Sequence, residues 1–178
     1  MIKSSFYNLA FLLLAFALVG LSCDSKAQKH QNPEDEILQL NKELLDSAQH
    51  IIKANAQKYI RLTQEFVTTK ADSTKIIKYV IQGAEVAVNI GEFEKALQSY
   101  ELLIHQFPNN PKVIANALFA QAFILENHTK DLQGAEKLYR MIQQKYPDLE
   151  ITKTVKATLE NLGKSDAELL EMIRNKNK

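Results

Sequence analysis

The sequence predicts an all-α fold in which antiparallel helix hairpins stack in series. Apolar side chains recur every three or four residues over most of the chain after residue 32, and no segment shows the sustained alternation of a strand. Five Gly and four Pro among 178 residues are too few for a β-sandwich, in which turns follow one another at short intervals. One motif also repeats at an offset of 39 residues, and a period in that range indicates a helical solenoid.

Residues 1–22 have the pattern of a secretory signal peptide. Lys3 precedes an apolar run over residues 6–21, which is shorter than the about 20 residues that a membrane-spanning helix needs. The run closes as Leu-Val-Gly-Leu-Ser-Cys and ends at Cys23, the one cysteine of the chain. This ending resembles the lipobox of bacterial lipoproteins, whose cysteine becomes the lipidated N-terminus of the mature protein.

That resemblance implies an exported protein of the bacterial cell envelope, anchored by lipid on Cys23 and facing the periplasm, at the outer rather than the inner membrane. Two alternatives stay open, namely an ordinary cleaved signal in which Cys23 is incidental and a retained membrane helix. Residues 23–32 are mostly polar and predict a flexible tether with a reach of about 15–20 Å.

The charge balance and the cysteine count exclude several classes of function. After the signal peptide the chain carries equal numbers of basic and acidic side chains, so we expect no clustered positive charge for binding nucleic acid. A single cysteine excludes a disulfide framework and a cysteine-based zinc site inside the fold. The remaining residues suffice for one domain with a modest core.

A degenerate helix hairpin is predicted for residues 33–72. Asn32 is a capping residue, Pro33 suits the first helical position, and the acidic residues that follow complement the positive end of the helix dipole. Apolar residues at helical spacing continue to Ile52, and a second periodic segment follows. We expect the break between the two helices near residues 49–55.

Residues 73–110 and 111–148 each predict a further pair of helices with the same internal spacing. The second helix of each pair carries an aromatic or leucine residue, an alanine, a tyrosine and a terminal proline. These residues are Phe93, Ala96, Tyr100 and Pro108 in the first pair, with Gly91 in the turn before them, and Leu132, Ala135, Tyr139 and Pro147 in the second. Spacings of three and four place these side chains on one helical face. The first helix of the second pair is expected to run to about Asn127, followed by a loop over residues 127–131.

This pattern resembles the tetratricopeptide repeat (TPR), in which a small residue lets two helices approach, an aromatic residue fills the gap between hairpins and a proline ends the unit. The resemblance implies a right-handed solenoid of about three repeats. Residues 149–178 resemble a terminal pair of capping helices, with Gly163 after the first helix and a capping box that begins at Ser165.

The resemblance also implies that the first helices of the pairs line a concave groove, whose exposed residues meet a partner. In the two full units these groove residues are Lys78, Ile81, Glu85, Val88, Asn89, Asn116, Phe119, Phe123, Glu126 and Asn127. Phe119 and Phe123 are one helical turn apart and are candidate anchors for a partner. The alternative is that both rings pack beneath neighbouring helices.

Motifs for catalysis or metal binding are absent from the sequence. It contains no glycine-rich phosphate loop, no G-x-S-x-G and no H-E-x-x-H, and its histidines lie far apart. We therefore predict no enzymatic activity, no catalytic residues, no metal and no cofactor. The favoured function is a membrane-anchored TPR adaptor for a protein or peptide partner, whose identity and oligomeric state stay open. The alternatives are an accessory component of an outer-membrane or envelope assembly machine and a lipoprotein that binds a small ligand or peptidoglycan.

Overall fold

Regular helices joined by short connections account for residues 32–176, which are the residues that the computed structural model describes. In chain order the helices are α1 (Pro33–Lys42), α2 (Lys53–Glu65), α3 (Ser73–Asn89), α4 (Phe93–Gln106), α5 (Pro111–Ile124), α6 (Leu132–Lys145), α7 (Ile151–Asn161) and α8 (Asp166–Lys176). The predicted all-α fold class is thereby confirmed. The predicted signal peptide, Cys23 and residues 24–31 of the predicted tether lie outside the described residues.

Consecutive helices from α1 to α7 pack against one another, as expected for a series of hairpins. Contacts also join α2 to α4 and α5 to α7, so helices in equivalent positions of neighbouring hairpins touch. Contacts of this kind, between each unit and the next, are typical of a helical repeat solenoid. Among residues 32–176, no helix is both long enough and apolar enough to span a membrane.

Helix α5 is buried on two sides, which explains why its sequence is apolar almost all round. Ala117 and Ile124 belong to the core that α5 shares with α1 to α4. Ala115, Leu118 and Ala122 belong to a second core that α5 shares with α6 and α7. The helix therefore joins the two cores.

The alanine and tyrosine residues of the repeated motif lie in the interior. Ala96 and Ala135 have no solvent-exposed surface, Tyr139 is equally buried and Tyr100 is 8% exposed. An alanine at such a position leaves room for the backbone of a neighbouring helix, and a larger side chain would overfill the contact. Gly91, in the turn between α3 and α4, has a φ of +76°, a left-handed conformation that favours glycine.

The first helix ends earlier than the apolar spacing predicts. α1 stops at Lys42, and residues 43–52 form a turn in which one oxygen of Asp46 accepts hydrogen bonds from the backbone N–H groups of Ala48 (2.8 Å) and His50 (2.9 Å). This local side-chain bonding competes with the helix, because it satisfies the same backbone donors. The expected break at residues 49–55 was therefore placed too late.

Three of the large apolar residues on that turn are consequently exposed, whereas Leu44 packs partly buried against the core. Leu45 and Ile51 form an isolated antiparallel bridge, and both are exposed, as is Ile52. Their spacing was compatible with a helix, but Gln49 adopts a left-handed φ of 65° that a helix does not contain.

The chain leaves α5 through a single π-helical turn, Leu125–Thr129, where the sequence predicted ordinary helix to about Asn127 and then a loop. Asn127 and Thr129 each donate a side-chain hydrogen bond to the carbonyl four residues earlier, at 3.1 Å in both cases. Lys130 then takes a left-handed conformation, and Asp131 caps α6 by accepting from the N–H of Gly134. Because of this turn, the side chains of residues 125–129 point in other directions than they would if α5 continued as a regular helix.

Candidate functional site

Helices α3 and α5, the first helices of the two full units, form the walls of an apolar cavity of about 300 Å³. We call it the α3–α5 cavity. Its lining consists of Glu85, Val88 and Asn89 from α3, Tyr100 from α4, and Phe119, Ala120, Phe123 and Ile124 from α5. Most of these residues were predicted to face a groove, and the structure brings them together on one open concavity.

The remaining residues predicted for the groove lie elsewhere. On α3, the ammonium of Lys78 lies 5.4 Å from the centre of the Tyr79 ring. Ile81 is partly buried and packs against the core that α5 shares with α1 to α4. Asn116 lines a separate depression with residues that precede and begin α7.

Glu126 and Asn127, both on the π-helical turn, do not line the α3–α5 cavity. Glu126 accepts a hydrogen bond of 2.9 Å from the Tyr139 hydroxyl, and Asn127 donates to the carbonyl of Phe123. Both side chains are therefore engaged within the protein, where the predicted groove would have left them free to meet a partner.

The two phenylalanines differ in their surroundings. Phe119 is partly buried and its ring lies 5.6 Å from that of Tyr139, at an angle of 55°. Phe123 is 48% exposed, which is unusual for a ring of this size beside a cavity. Phe119 therefore packs in part against α6 while also lining the cavity, whereas Phe123 is exposed beside it; the anchor role of either ring stays a prediction.

An aromatic cluster that the sequence did not indicate lies beside Phe123. The His128 ring stacks on that of Phe93, with centroids 4.8 Å apart, and stands edge-on to that of Phe123 at 6.2 Å. Phe93 was predicted only as a packing residue of the turn. The π-helical turn brings His128 into this cluster, and no spacing rule for a regular helix would have placed it there.

Tyr100 is the cavity residue that sequence reasoning assigned to packing alone. Burial raises the pKa of its phenol to about 12, and the nearby negative charge of Glu85 adds to the effect. The same carboxylate also contributes to the raised pKa of Tyr59, after burial and Tyr79. Glu85 therefore lies near both phenols, although burial is the larger cause of both raised pKa values.

The arrangement offers binding chemistry and no assembled metal centre. Within residues 32–176, no group of three or more His, Cys, Asp or Glu side chains is close enough to hold a metal ion. The cavity lining combines three aromatic rings with one carboxylate, one amide and aliphatic side chains. Such a surface can bury part of another molecule and orient it through a few polar contacts.

Comparison with known families identifies the two units that enclose the cavity. The tetratricopeptide repeat family model matches residues 82–110 and 116–149, which cover most of the helices from α3 to α6. Neither curated proteins nor solved structures give a significant match to the chain. Tetratricopeptide repeats generally act as scaffolds for protein–protein interaction. Residues 82–110 and 116–149 are therefore similar to tetratricopeptide repeats, and the α3–α5 cavity lies between the first helices of these two units.

Proposed function

We propose that this protein is a non-enzymatic adaptor that holds a segment of a protein or peptide partner in the α3–α5 cavity. The observation that carries the proposal is the cavity itself, an open apolar concavity between the first helices of two tetratricopeptide repeats, with Phe123 48% exposed at its edge. An exposed aromatic ring beside an apolar cavity is typical of residues that contribute strongly to protein–protein binding.

The walls of the cavity are suited to binding with little loss of conformational entropy. Helix α5 is fixed on two sides by the two cores, and α3 packs on both α2 and α4. A partner segment would therefore meet a surface that is already formed, and most of the ordering cost would fall on the partner.

The proposal includes a lipid tether at Cys23 that holds the adaptor on the periplasmic side of a bacterial membrane, the outer membrane in preference to the inner. Two features of the sequence support this tether. The apolar run at the start of the chain closes in a lipobox-like motif at Cys23, and a short polar segment separates Cys23 from α1. Two or three acyl chains give lasting attachment, whereas one gives marginal attachment. A tether of about 15–20 Å would keep the repeats close to the membrane surface.

Substitution of Phe123 tests the binding role. Phe123→Ala should strongly reduce recovery of the partner that the wild-type protein brings down after crosslinking in native envelopes, because it removes the exposed ring that forms the apolar contact. Leu45→Ala is the matched control, since Leu45 is 43% exposed but lies on the turn after α1 and does not line the cavity. Recovery of the same partner at unchanged yield by Phe123→Ala would contradict the proposal.

Substitution of Cys23 tests the tether separately. Cys23→Ala should appear in soluble fractions and lack the added mass of the acyl chains, which intact-protein mass spectrometry detects. A variant that still sediments with membranes, together with a wild-type protein of unmodified mass, would rule out the lipid anchor and leave the binding role standing.

A further inference from the structure

The polar groups of the α3–α5 cavity indicate which kind of side chain it accepts. Glu85 is the one carboxylate of the lining, and it is exposed to solvent at the cavity surface. Within residues 32–176, no lysine, arginine or histidine lies within salt-bridge distance of it, although other glutamates are paired in this way. Glu85 therefore forms no direct ion pair with the part of the chain that the structure describes.

No lysine of α3 compensates that charge from along the helix. Lys78 lies seven residues before Glu85, on the same face but two turns away, which is about 10 Å along the axis. The Lys78 ammonium is instead over the Tyr79 ring.

The rest of the lining suits both the aliphatic methylene groups and the cationic end of a basic side chain. Val88, Ala120 and Ile124 offer an apolar surface for the methylene groups, which basic residues readily bury. The rings of Tyr100, Phe119 and Phe123 offer π faces or edges around the same space, and an ammonium or guanidinium group is attracted to such faces. Glu85 would then accept charge-assisted hydrogen bonds from the cationic group.

A purely apolar guest fits this lining less well. It would remove water from the Glu85 carboxylate without replacing the hydrogen bonds that the water makes, which is unfavourable for a charged group. An acidic guest would add direct repulsion. A basic guest alone both fills the apolar part of the cavity and neutralises the charge.

We propose that the α3–α5 cavity accepts a Lys or Arg side chain of the partner and that Glu85 is the residue that selects it. This inference rests on the proposed adaptor function and defines the chemistry of the segment that the adaptor binds. The recognised motif is a basic residue flanked by apolar residues that contact Phe123 and the aromatic cluster beside it.

The experiment uses the purified full chain and a phage-displayed library of random peptides as the probe. Peptides that the wild-type chain retains and that Phe123→Ala releases are sequenced. One selected peptide is then synthesised with its basic residue and again with norleucine in that place. Affinities of both peptides are measured by fluorescence anisotropy for the wild type, Glu85→Gln and Glu160→Gln. Glu160→Gln removes an exposed carboxylate on α7, outside the lining of the cavity.

We expect the selected peptides to be enriched in Lys and Arg. The basic peptide should bind Glu85→Gln about tenfold more weakly than the wild type and should bind Glu160→Gln as the wild type does. The norleucine peptide should not distinguish Glu85→Gln from the wild type. Unchanged melting temperatures would show that the variants are folded.

Two results would overturn the inference, and they are distinguishable. If the selected peptides show no basic enrichment, or if Glu85→Gln binds the basic peptide as tightly as the wild type, the charge selection is wrong while the adaptor function stands. If none of the peptides that the wild-type chain retains is released by Phe123→Ala, the cavity is not the binding site and both proposals fail.

Discussion

The first helix hairpin and the two repeats that follow it differ in the contacts that accompany their apolar packing. In the two repeats, the alanines and tyrosines of the motif are buried. The first hairpin shares an apolar core with α3 and α4 and adds polar contacts between particular side chains. Tyr79 and Lys75 donate to Glu34 at 2.9 and 2.8 Å, and Gln64 donates to Ser99 at 2.9 Å. The buried alanine and tyrosine contacts produce a spacing pattern that repeats in the sequence. The polar contacts join particular pairs of residues and produce no repeated pattern.

Helices α2 and α3 also approach closely, but through residues other than the alanines that the repeats use. A Cβ atom on Gly83 would overlap the hydroxyl of Thr63, which is fully buried and donates to the Ile60 carbonyl. Glycine and threonine meet here, where the repeats use alanine. The two helices are closely packed at this junction, but its residues do not follow the repeat pattern.

Overfilling the alanine seams should have the largest effect on stability. Ala96→Leu or Ala135→Leu should lower the free energy of unfolding by about 1–3 kcal/mol, because the added carbons have no space between the packed helices. Urea denaturation followed by circular dichroism measures the change. Ala157→Leu, on the exposed surface of α7, is the control and should stay within about 0.5 kcal/mol of the wild type. Equal loss in all three variants would mean that seam packing is not the cause.

The glycine–threonine junction should respond less strongly. Gly83→Ala should destabilise by about 1–2 kcal/mol, since the overlap with Thr63 outweighs the better helix propensity of alanine. The double variant Gly83→Ala with Thr63→Ala removes the overlapping hydroxyl and should recover part of the loss. If Gly83→Ala alone is more stable than the wild type, α2 and α3 can move apart with little loss of free energy.

The polar docking of the first hairpin should give the smallest effect, and it should depend on pH. Hydrogen bonds from Lys75 and then Tyr79 lower the pKa of Glu34 from its usual 4.5. Because the folded pKa is the lower one, this stabilisation is present above pH 4.5 and is lost as the pH falls through the folded pKa.

Glu34→Gln should therefore be slightly less stable than the wild type at neutral pH, and the difference should shrink in acid. Denaturation midpoints measured from neutral pH to about pH 3 test this, with Glu160→Gln as the control for removing a carboxylate elsewhere. A difference for Glu34→Gln that stays constant over the whole range would contradict the polar docking.

The same contrast explains which parts of the fold followed from the sequence. The spacing of Ala96 with Tyr100 and of Ala135 with Tyr139 predicts helices α4 and α6 because each seam requires those residues on one face. The end of α1 did not follow, because it depends on hydrogen bonds from the Asp46 side chain that compete locally with the helix.

The candidate site could be predicted only in part. Glu85 and Phe123 lie on α3 and α5, the first helices of the two full units, and this was enough to predict that both lie beside a groove. It could not show that the π-helical turn directs Glu126 to Tyr139 or brings His128 to Phe93, because that turn breaks the helical register. Nor could it show that Tyr100 reaches the cavity as well as the interior.

Site-specific photocrosslinking compares the two regions as binding surfaces most directly. A benzoylphenylalanine is placed at position 123, at the edge of the α3–α5 cavity, or at position 45, on the turn of the first hairpin. We expect a partner to be crosslinked from position 123 and not from position 45, and Glu85→Gln to reduce the yield. Crosslinking from position 45 alone would contradict the proposed binding site and place the binding surface on the first hairpin.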